Sequence, residues 1–582
     1  MARTNEEVAR LLGELATLTE LDEGSPNAFR VRAYQDAQRA VRGLGTDVAE
    51  LSAADLAKVK GIGKSIASRI REYVDTGSIA KLDELRERHP AGQVELLGVP
   101  GLGPKTVELL RRELGVTDLD GLRTALDDGR VASLPGMGER TVENLRRALD
   151  GMGLASSKRS RVPIGTALPV AERIVAALGE VAAVDDVAVA GSLRRFREDI
   201  GDVDVLVASD DPPAVTEAFL GLQEAREVLG SGETKTSITT TDGVQVDLRV
   251  VPPASFGAAL LYFTGSKAHN IRLRQRALRH EWTLNEYALA DERDAGKVVA
   301  SRAEEDIYAC LELPWIAPEL REDAGEIEAA EASQLPDLVA VEDLRGDLHD
   351  HTDLSGDGHD RLEDLVAAAV DRGLEYLAIT DHAEGLRING VDRAGMEAQR
   401  RDVRALEERR GDIRLLHGAE LNIGVDGSLD YDRDFRASFD WLVASVHSHF
   451  GRDVEEQTAR IVAAMREPAV TAIGHLTGRM LGRRQGIELD VDRILDAAVE
   501  TGTAIEINAS LSRLDAPAEV IREGARRGVT FVISTDAHAV ADLDRARHGV
   551  ALARRGWLGR DRIANTRSVD AFLAWIEDVH SS

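Results

Sequence analysis

Three patterns of apolar and polar positions follow one another along the chain. Up to about residue 155, apolar residues recur at three- and four-residue intervals in short stretches broken by glycine, which predicts short amphipathic helices. One element returns there: VKGIGKSIA at 59–67, VPGLGPKTV at 99–107 and LPGMGERTV at 134–142, each an apolar residue, a Gly-x-Gly turn and a helical start. After a hinge-like SSKRSRVPIG (156–165), LPVAERIVAALG reads as a helix, and VDDVAVAGS, DVDVLVAS and VQVDLRVVPP alternate with a period of two, as strands do. FGAALLYFTGSKAHNIRLRQRALRH (256–280) then reads as helix, turn, helix, and a polar Glu/Ala-rich stretch predicts a linker over 318–342. Beyond Leu344, strand-like runs alternate with helical ones: LRGDLHDH, EYLAITDH, LLHGAELN, WLVASVHSH, VTAIGH, TAIEIN and TFVISTDAH. That alternation predicts parallel strands, and a barrel built from them gathers their His, Asp and Glu endings at one rim.

Composition narrows the picture. The length of 582 residues implies several domains, and the 43% apolar fraction suits packed cores. A net charge of -30 argues against nucleic acid, but the acid excess lies mostly in the C-terminal part, leaving residues 1–160 nearly balanced and able to present local basic patches. There is no 18-residue apolar run and no signal-like N-terminal core, so the expectation is a cytoplasmic, nucleoid-associated protein with no membrane partner. The single Cys310 excludes internal disulfides and thiolate zinc sites, leaving His, Asp and Glu as metal ligands.

The first chemical signal is a spacing of carboxylates. Asp202 and Asp204 lie two apart on a predicted strand and so share a face, and Asp247 sits on another strand that can lie alongside. Two divalent ions need such a triad to drive in-line displacement at a phosphate. With GSLRR (191–195) upstream and YFTGSKAHN (262–270) downstream, the pattern resembles the family X DNA polymerases over nearly all of residues 1–320. The repeated Gly-x-Gly turns resemble helix-hairpin-helix motifs, which would set Gly61, Gly63, Gly101, Gly103, Gly136 and Gly138 at the DNA backbone.

The resemblance implies that Asp202, Asp204 and Asp247 hold two Mg²⁺ or Mn²⁺ ions. It also implies that the Gly191 backbone, Ser192 and Arg195 cradle the nucleotide's β- and γ-phosphates, that Tyr262 and Phe263 pack on its sugar, that Gly265 permits close approach, and that Asn270 reaches the base. Family members acting as 5′-deoxyribose-phosphate lyases carry a Schiff-base lysine where this chain has Arg69, so no lyase activity is expected.

The second signal is histidine. His89, His269 and His280 precede residue 344 and all the others follow it. His349, His351, Asp357, His382, Glu420, His447, His475, Asp536 and His538 fall at or near strand ends, a nitrogen-and-oxygen set suited to two or three Mn²⁺ or Zn²⁺ ions. The loop after His351 leaves Asp357 and His359 as alternatives, and His417, His449, His548 and His580 read as packing or surface residues. This order resembles the PHP (polymerase and histidinol phosphatase) domain, which implies a metal-dependent phosphoesterase with 3′-5′ exonuclease, 3′-end or abasic-site processing activity.

The expected fold is therefore multidomain α/β. Helical helix-hairpin-helix domains span 1–85 and 86–155, a family X nucleotidyltransferase palm 160–252, a thumb 253–317, the linker 318–342 and a (β/α)7-like PHP barrel 343–582. The expected function is gap-filling DNA synthesis with 3′-end trimming. Its partners are gapped or primer-template DNA and deoxynucleoside triphosphates; protein partners are not legible. Two alternatives are a phosphoesterase of small esters with an inert palm and a DNA-end-binding scaffold.

Overall fold

A computed structural model describes the chain except residues 1–4, 24–28, 43–47, 60, 90–95, 97–101, 103, 135–136, 139–141, 143–144, 146–160, 233–234, 295 and 582. Contacts divide it into two units, Met1–Ser160 and Arg161–Ser582. Among the described residues no helix is long and apolar enough to cross a membrane.

The first unit is helical. Asn5–Glu23 and Phe29–Arg42 pack their apolar stripes together, with Leu12, Leu15, Val31 and Val41 fully buried. At the first Gly-x-Gly turn Gly61 has φ +97°, which favours a residue without a side chain, and Gly63 caps helix Lys64–Thr76 without a side-chain acceptor, leaving backbone N–H groups at its start. That helix ends at the left-handed Gly77, and Ile66, Ala67, Ile70 and Tyr73 form its buried face. Arg69 bonds to Ser65 Oγ at 2.6 Å and lies over the Tyr34 ring. Gly138 accepts from Val142 N–H, as a helix-opening turn should, whereas Gly101, Gly103 and Gly136 lie outside the described residues.

In the second unit β1 (Val162–Pro163) and β3 (Asp199–Ile200) form a small antiparallel pair. The palm sheet contains β2 (Asp186–Val189), β4 (Val203–Ala208), β5 (Ala225–Ser231), β6 (Lys235–Thr240) and β7 (Gln245–Val251), ordered β2-β4-β7-β6-β5. Only β4 and β7 are parallel. Helices Phe256–Thr264 and Lys267–Arg279 follow, then a three-stranded sheet of β8 (Trp282–Leu284), β9 (Leu289–Asp291) and β10 (Lys297–Ala300).

Seven parallel strands then run in sequence order: β11 (Gly346–Asp350), β12 (Tyr376–Ile379), β13 (Arg414–Asn422), β14 (Trp441–Ser445), β15 (Ala472–Ile473), β16 (Ala504–Asn508) and β17 (Phe531–Ser534). They are buried on both faces almost throughout, as helix-covered parallel strands must be. The segment after β17 returns to β11 through an isolated bridge, with His351 N–H donating to the Ala537 carbonyl at 2.8 Å, so the barrel is nearly closed. Helix Val569–Ser581 covers the end where the strands begin: Phe572 stacks on Tyr376, 4.6 Å between centroids, beside Trp441. The C-terminal strand ends are left as the rim.

The stretch 318–342, expected as a linker, is folded and packed. Arg321 is wholly buried in a two-pronged pair with Glu304 (2.7 and 3.0 Å), and Glu326, on helix Glu326–Glu331, is buried against His269 at 2.7 Å. Its charges sit inside because each has a partner, which composition alone does not reveal. Palm and barrel also share one apolar cluster, in which Ile164, Ile200 and Leu193 belong with Ile507, Leu514 and Val550. Arg479 pairs with Glu198 across the joint at 2.7 Å, and a Cβ on Gly482 would lie 2.6 Å from Pro163.

Candidate active sites

In the palm, β4 and β7 are in register with Asp204 opposite Asp247, and Asp202 precedes β4 by one residue. Burial, reinforced by the charges of Asp202 and Asp247, pushes the Asp204 carboxyl up to about 7. Burial also opposes ionisation of Asp247, but hydrogen bonds from Lys235, Gln245 and Ser237 outweigh it and hold its carboxyl below the ordinary range. Lys235 Nζ stands 2.6 Å from Asp247 Oδ2, a cation already at the carboxylate. Asp204 and Asp247 offer hard oxygen donors of the kind Mg²⁺ or Mn²⁺ takes, although among the described residues Asp202, Asp204 and Asp247 do not bring three ligand atoms within 4.8 Å of one another as the barrel groups do.

The GSLRR segment is tied to this site from behind. Gly191 has φ +66° and opens a one-turn helix, and a Cβ there would approach Asp204 Oδ2 to 2.5 Å. Ser192 lies in the same turn. Arg194 reaches away to Thr264 Oγ1 and makes a two-pronged pair with Glu304 at 2.8 and 2.9 Å. Arg195, expected at a triphosphate, points to the Thr264 carbonyl and to Glu322, 3.1 Å from Nε. Tyr262 and Phe263 form an edge-to-face pair at 5.1 Å, with Arg274 over the first ring and Arg249 over the second. Gly265 ends their helix at φ +68°, and Asn270 Nδ2 donates to the Tyr262 carbonyl at 2.7 Å. The sequence-expected palm residues thus lie at β4 and β7, in the Gly191 turn, and on helices Phe256–Thr264 and Lys267–Arg279 with the Gly265 turn between them.

In the barrel the sequence-expected ligands converge on the rim. Three overlapping groups have ligand atoms within 4.8 Å of one another: His351, Asp357, His382 and His538; His349, His351 and Asp536; His382, Glu420 and His447. His475 Nε2 joins through Glu420 Oε1 at 2.9 Å, so one carboxylate faces several imidazoles. Asp357 faces His382 at 3.2 Å, whereas His359 contributes its backbone N–H to the His538 carbonyl.

Among the described residues, His349 Nε2 and both ring nitrogens of His351 are buried without a hydrogen bond, although Glu420 and Asp536 oxygens stand 3.5 Å off. Two ligands each about 2.1 Å from one ion are separated by about that distance, so the orphaned nitrogens fit a bound divalent cation. Burial keeps His351 neutral, lowering it to about 3, which is the form a ligand needs. Burial opposes charge on His382, but Glu420 and Asp357 outweigh it and raise that imidazole to about 10. His417 stacks on Phe439 and His548 on Phe196, both packing contacts, and His580 Nε2 shares a hydrogen bond with Thr471 Oγ1 at 3.1 Å.

Sequence reasoning missed the residues that orient these ligands. Glu506 Oε1 lies 2.6 Å from His349 Nδ1, Asn422 Oδ1 2.8 Å from His447 Nδ1, and Asn389 Nδ2 2.7 Å from Asp357. Such partners fix ring orientation. Arg513 Nε stands 3.5 Å from Asp536, a permanent cation beside the cluster. Only Glu506 left a sequence signal, a carboxylate inside the apolar run AIEIN.

Comparison with known proteins matches a helix-hairpin-helix domain over residues 3–79, a SAM-like helix-hairpin-helix tandem over 94–150, the DNA polymerase beta thumb over 259–322 and the PHP domain over 347–510. The DNA polymerase/3′-5′ exonuclease PolX of Bacillus subtilis (strain 168) is 37% identical over 573 residues, 97% of this chain and 99% of that protein. The chain belongs to the PolX family. This PolX-family chain is also similar in part to shorter proteins: probable phosphatases of Thermoanaerobacter pseudethanolicus and Aliivibrio fischeri are 26% and 27% identical over 38% and 40% of it, and 89% and 92% of their own lengths. The PolX match runs through palm and barrel together.

Proposed function

We propose that this protein fills short gaps in DNA by template-directed nucleotidyl transfer and trims 3′ ends in its barrel. The observation that carries the synthetic half is the in-register pairing of Asp204 with Asp247 beside the Gly191 turn, in a chain that aligns over 97% of its length with a DNA polymerase/3′-5′ exonuclease. That coverage disfavours the small-ester phosphatase and the inert scaffold.

Asp202, Asp204 and Asp247 would hold two Mg²⁺ or Mn²⁺ ions, which when bound supply a Lewis acid at the α-phosphate and at the primer 3′-hydroxyl. Arg195 and Ser192, with Gly191 N–H, bind the β- and γ-phosphates, for which a planar, permanently charged guanidinium is suited. Tyr262, Phe263 and Gly265 form the sugar wall, and Asn270 reaches the base. The Gly61 and Gly63 turn offers N–H groups to the DNA backbone, as do the repeats around Gly101, Gly103, Gly136 and Gly138.

In the barrel the nine residues His349, His351, Asp357, His382, Glu420, His447, His475, Asp536 and His538 would hold two or three Mn²⁺ or Zn²⁺ ions, which supply a nucleophile and polarise a phosphoester. Arg513 neutralises the scissile phosphate, and Glu506, Asn422 and Asn389 keep the ligands aimed. Acting on DNA, the protein would work at the nucleoid.

Purified protein with a gapped, 3′-labelled duplex and deoxynucleoside triphosphates tests both halves. Asp204→Ala should abolish extension and retain trimming; His349→Ala should do the reverse. Loss of both activities in either variant would contradict two separate centres.

A further inference from the structure

Helix Ala546–Arg555 belongs to the barrel, yet one face of it is spent on the palm. Arg547 pairs with Glu172 at 2.6 Å, and His548 stacks on Phe196 with ring centroids 6.2 Å apart and planes 20° from parallel. Phe196 leaves the GSLRR turn with φ 54°, a backbone conformation that needs outside support in a residue with a side chain. At the helix end Arg555 Nη1 donates to the Arg195 carbonyl at 2.6 Å and lies 3.2 Å from Glu322 Oε1. The same carboxylate oxygen faces Arg195 Nε at 3.1 Å and Arg197 at 3.9 Å. Arginines from palm and barrel therefore converge on one carboxylate, with Arg555 the most enclosed of them at 9% side-chain exposure.

The guanidinium of Arg195 cannot serve Glu322 and a triphosphate at once. Leaving a largely enclosed carboxylate without a cation is strongly unfavourable, so the move to phosphate needs another positive group that stays behind. Arg555 already touches Glu322 and is locked there by its bond to the Arg195 backbone. We propose that Arg555 of the barrel is a positioning residue for nucleotide addition: it anchors the GSLRR loop through the Arg195 carbonyl and keeps Glu322 paired when the Arg195 side chain transfers to the incoming triphosphate. This rests on the reading above that Arg195 meets the β- and γ-phosphates. The exonuclease half of the molecule thereby sets nucleotide capture in the polymerase half.

The test is steady-state single-nucleotide gap filling by the full-length protein, with 3′-end trimming measured in parallel. Arg555→Met should raise the KM for deoxynucleoside triphosphate about tenfold, an ordinary coupling for residues sharing a partner, with kcat and trimming close to the parent. A KM effect without a kcat effect marks binding that is equal in ground and transition states. Arg555→Lys should fall nearer the parent. The double variant Glu322→Gln/Arg555→Met should recover a KM well below that of Arg555→Met, because the competing charge is gone, and any excess over Glu322→Gln alone reports the lost bond to the Arg195 carbonyl. An elevated KM that the double variant does not relieve would overturn the hand-over, and so would a parental KM in Arg555→Met. Arg195→Ala separates the two readings. If it leaves KM unchanged, the phosphate role of Arg195 fails; if it raises KM while Arg555→Met does not, the Arg555 proposal alone fails.

Discussion

A Cβ on Gly191 would stand 2.5 Å from the Oδ2 of Asp204. The glycine of one motif and the carboxylate of another, thirteen positions apart, thus share one volume, and each is fixed by the other. The same glycine holds φ +66°, so both space and backbone reject a side chain. Gly191→Ala should push the carboxylate from its place opposite Asp247 and lower nucleotide addition about a hundredfold, the usual cost of an ångström's misplacement. Trimming by the same preparation should stay at the parental rate; an equal fall in both would mean general unfolding.

The orientation of His349 by Glu506 gives a prediction about metal. Glu506→Gln keeps the shape but removes the charge that faces His349 Nδ1 at 2.6 Å. Metal content after dialysis, read by elemental analysis, should show affinity lowered about 10- to 100-fold, with trimming falling in step and gap filling spared. Full occupancy with unchanged trimming would remove Glu506 from the site's support.

Stripping the barrel of metal has a structural consequence. Among the described residues, His349 Nε2 and both ring nitrogens of His351 are buried without hydrogen bonds, and unsatisfied polar groups inside a core are costly. Chelation should therefore lower the unfolding temperature of the full-length protein, and Mn²⁺ or Zn²⁺ should restore it in proportion to the logarithm of free ion. Because palm and barrel share an apolar cluster, both should unfold in one transition.

Glu304 makes stability depend on acid. Burial opposes its charge, but the two-pronged pairs with Arg321 and Arg194 outweigh that and lower its carboxyl to about 2. A carboxyl depressed in the folded state stabilises above its unfolded value near 4.5 and ceases to do so as pH falls through about 2. Glu304→Gln should thus be several kcal/mol less stable than the parent near neutrality, about 3–5 by the usual cost of orphaning a buried partner. The gap in urea midpoints should close between about pH 4.5 and 2. Trp315, whose indole N–H donates to Glu304 at 3.1 Å, supplies the fluorescence signal.

Arg513 was invisible as a functional residue in ASLSRLDAP, yet its Nε comes within 3.5 Å of Asp536. Arg513→Ala should reduce trimming turnover about a hundredfold, the scale of losing one preorganised partner for a developing charge, with metal content intact. Loss of metal along with activity would make it a structural support instead.

By itself the sequence determined which side chains could do chemistry. Strand alternation put Asp204 and Asp247 on strands that can pair, with Asp202 just ahead of the first, and strand-helix alternation put the His, Asp and Glu run endings at one rim, because both follow from local geometry. Tertiary structure alone decided what faces those side chains. Glu506, Asn422, Asn389 and Arg513 reach the cluster only when the barrel closes, and Arg321 and Glu326 are buried only because Glu304 and His269 lie opposite. The seat of Arg555 on the Arg195 carbonyl joins residues 360 positions apart. Local pattern reports the direction of a side chain; its partner is set by packing between distant segments, where burial makes an unpaired charge too costly to keep.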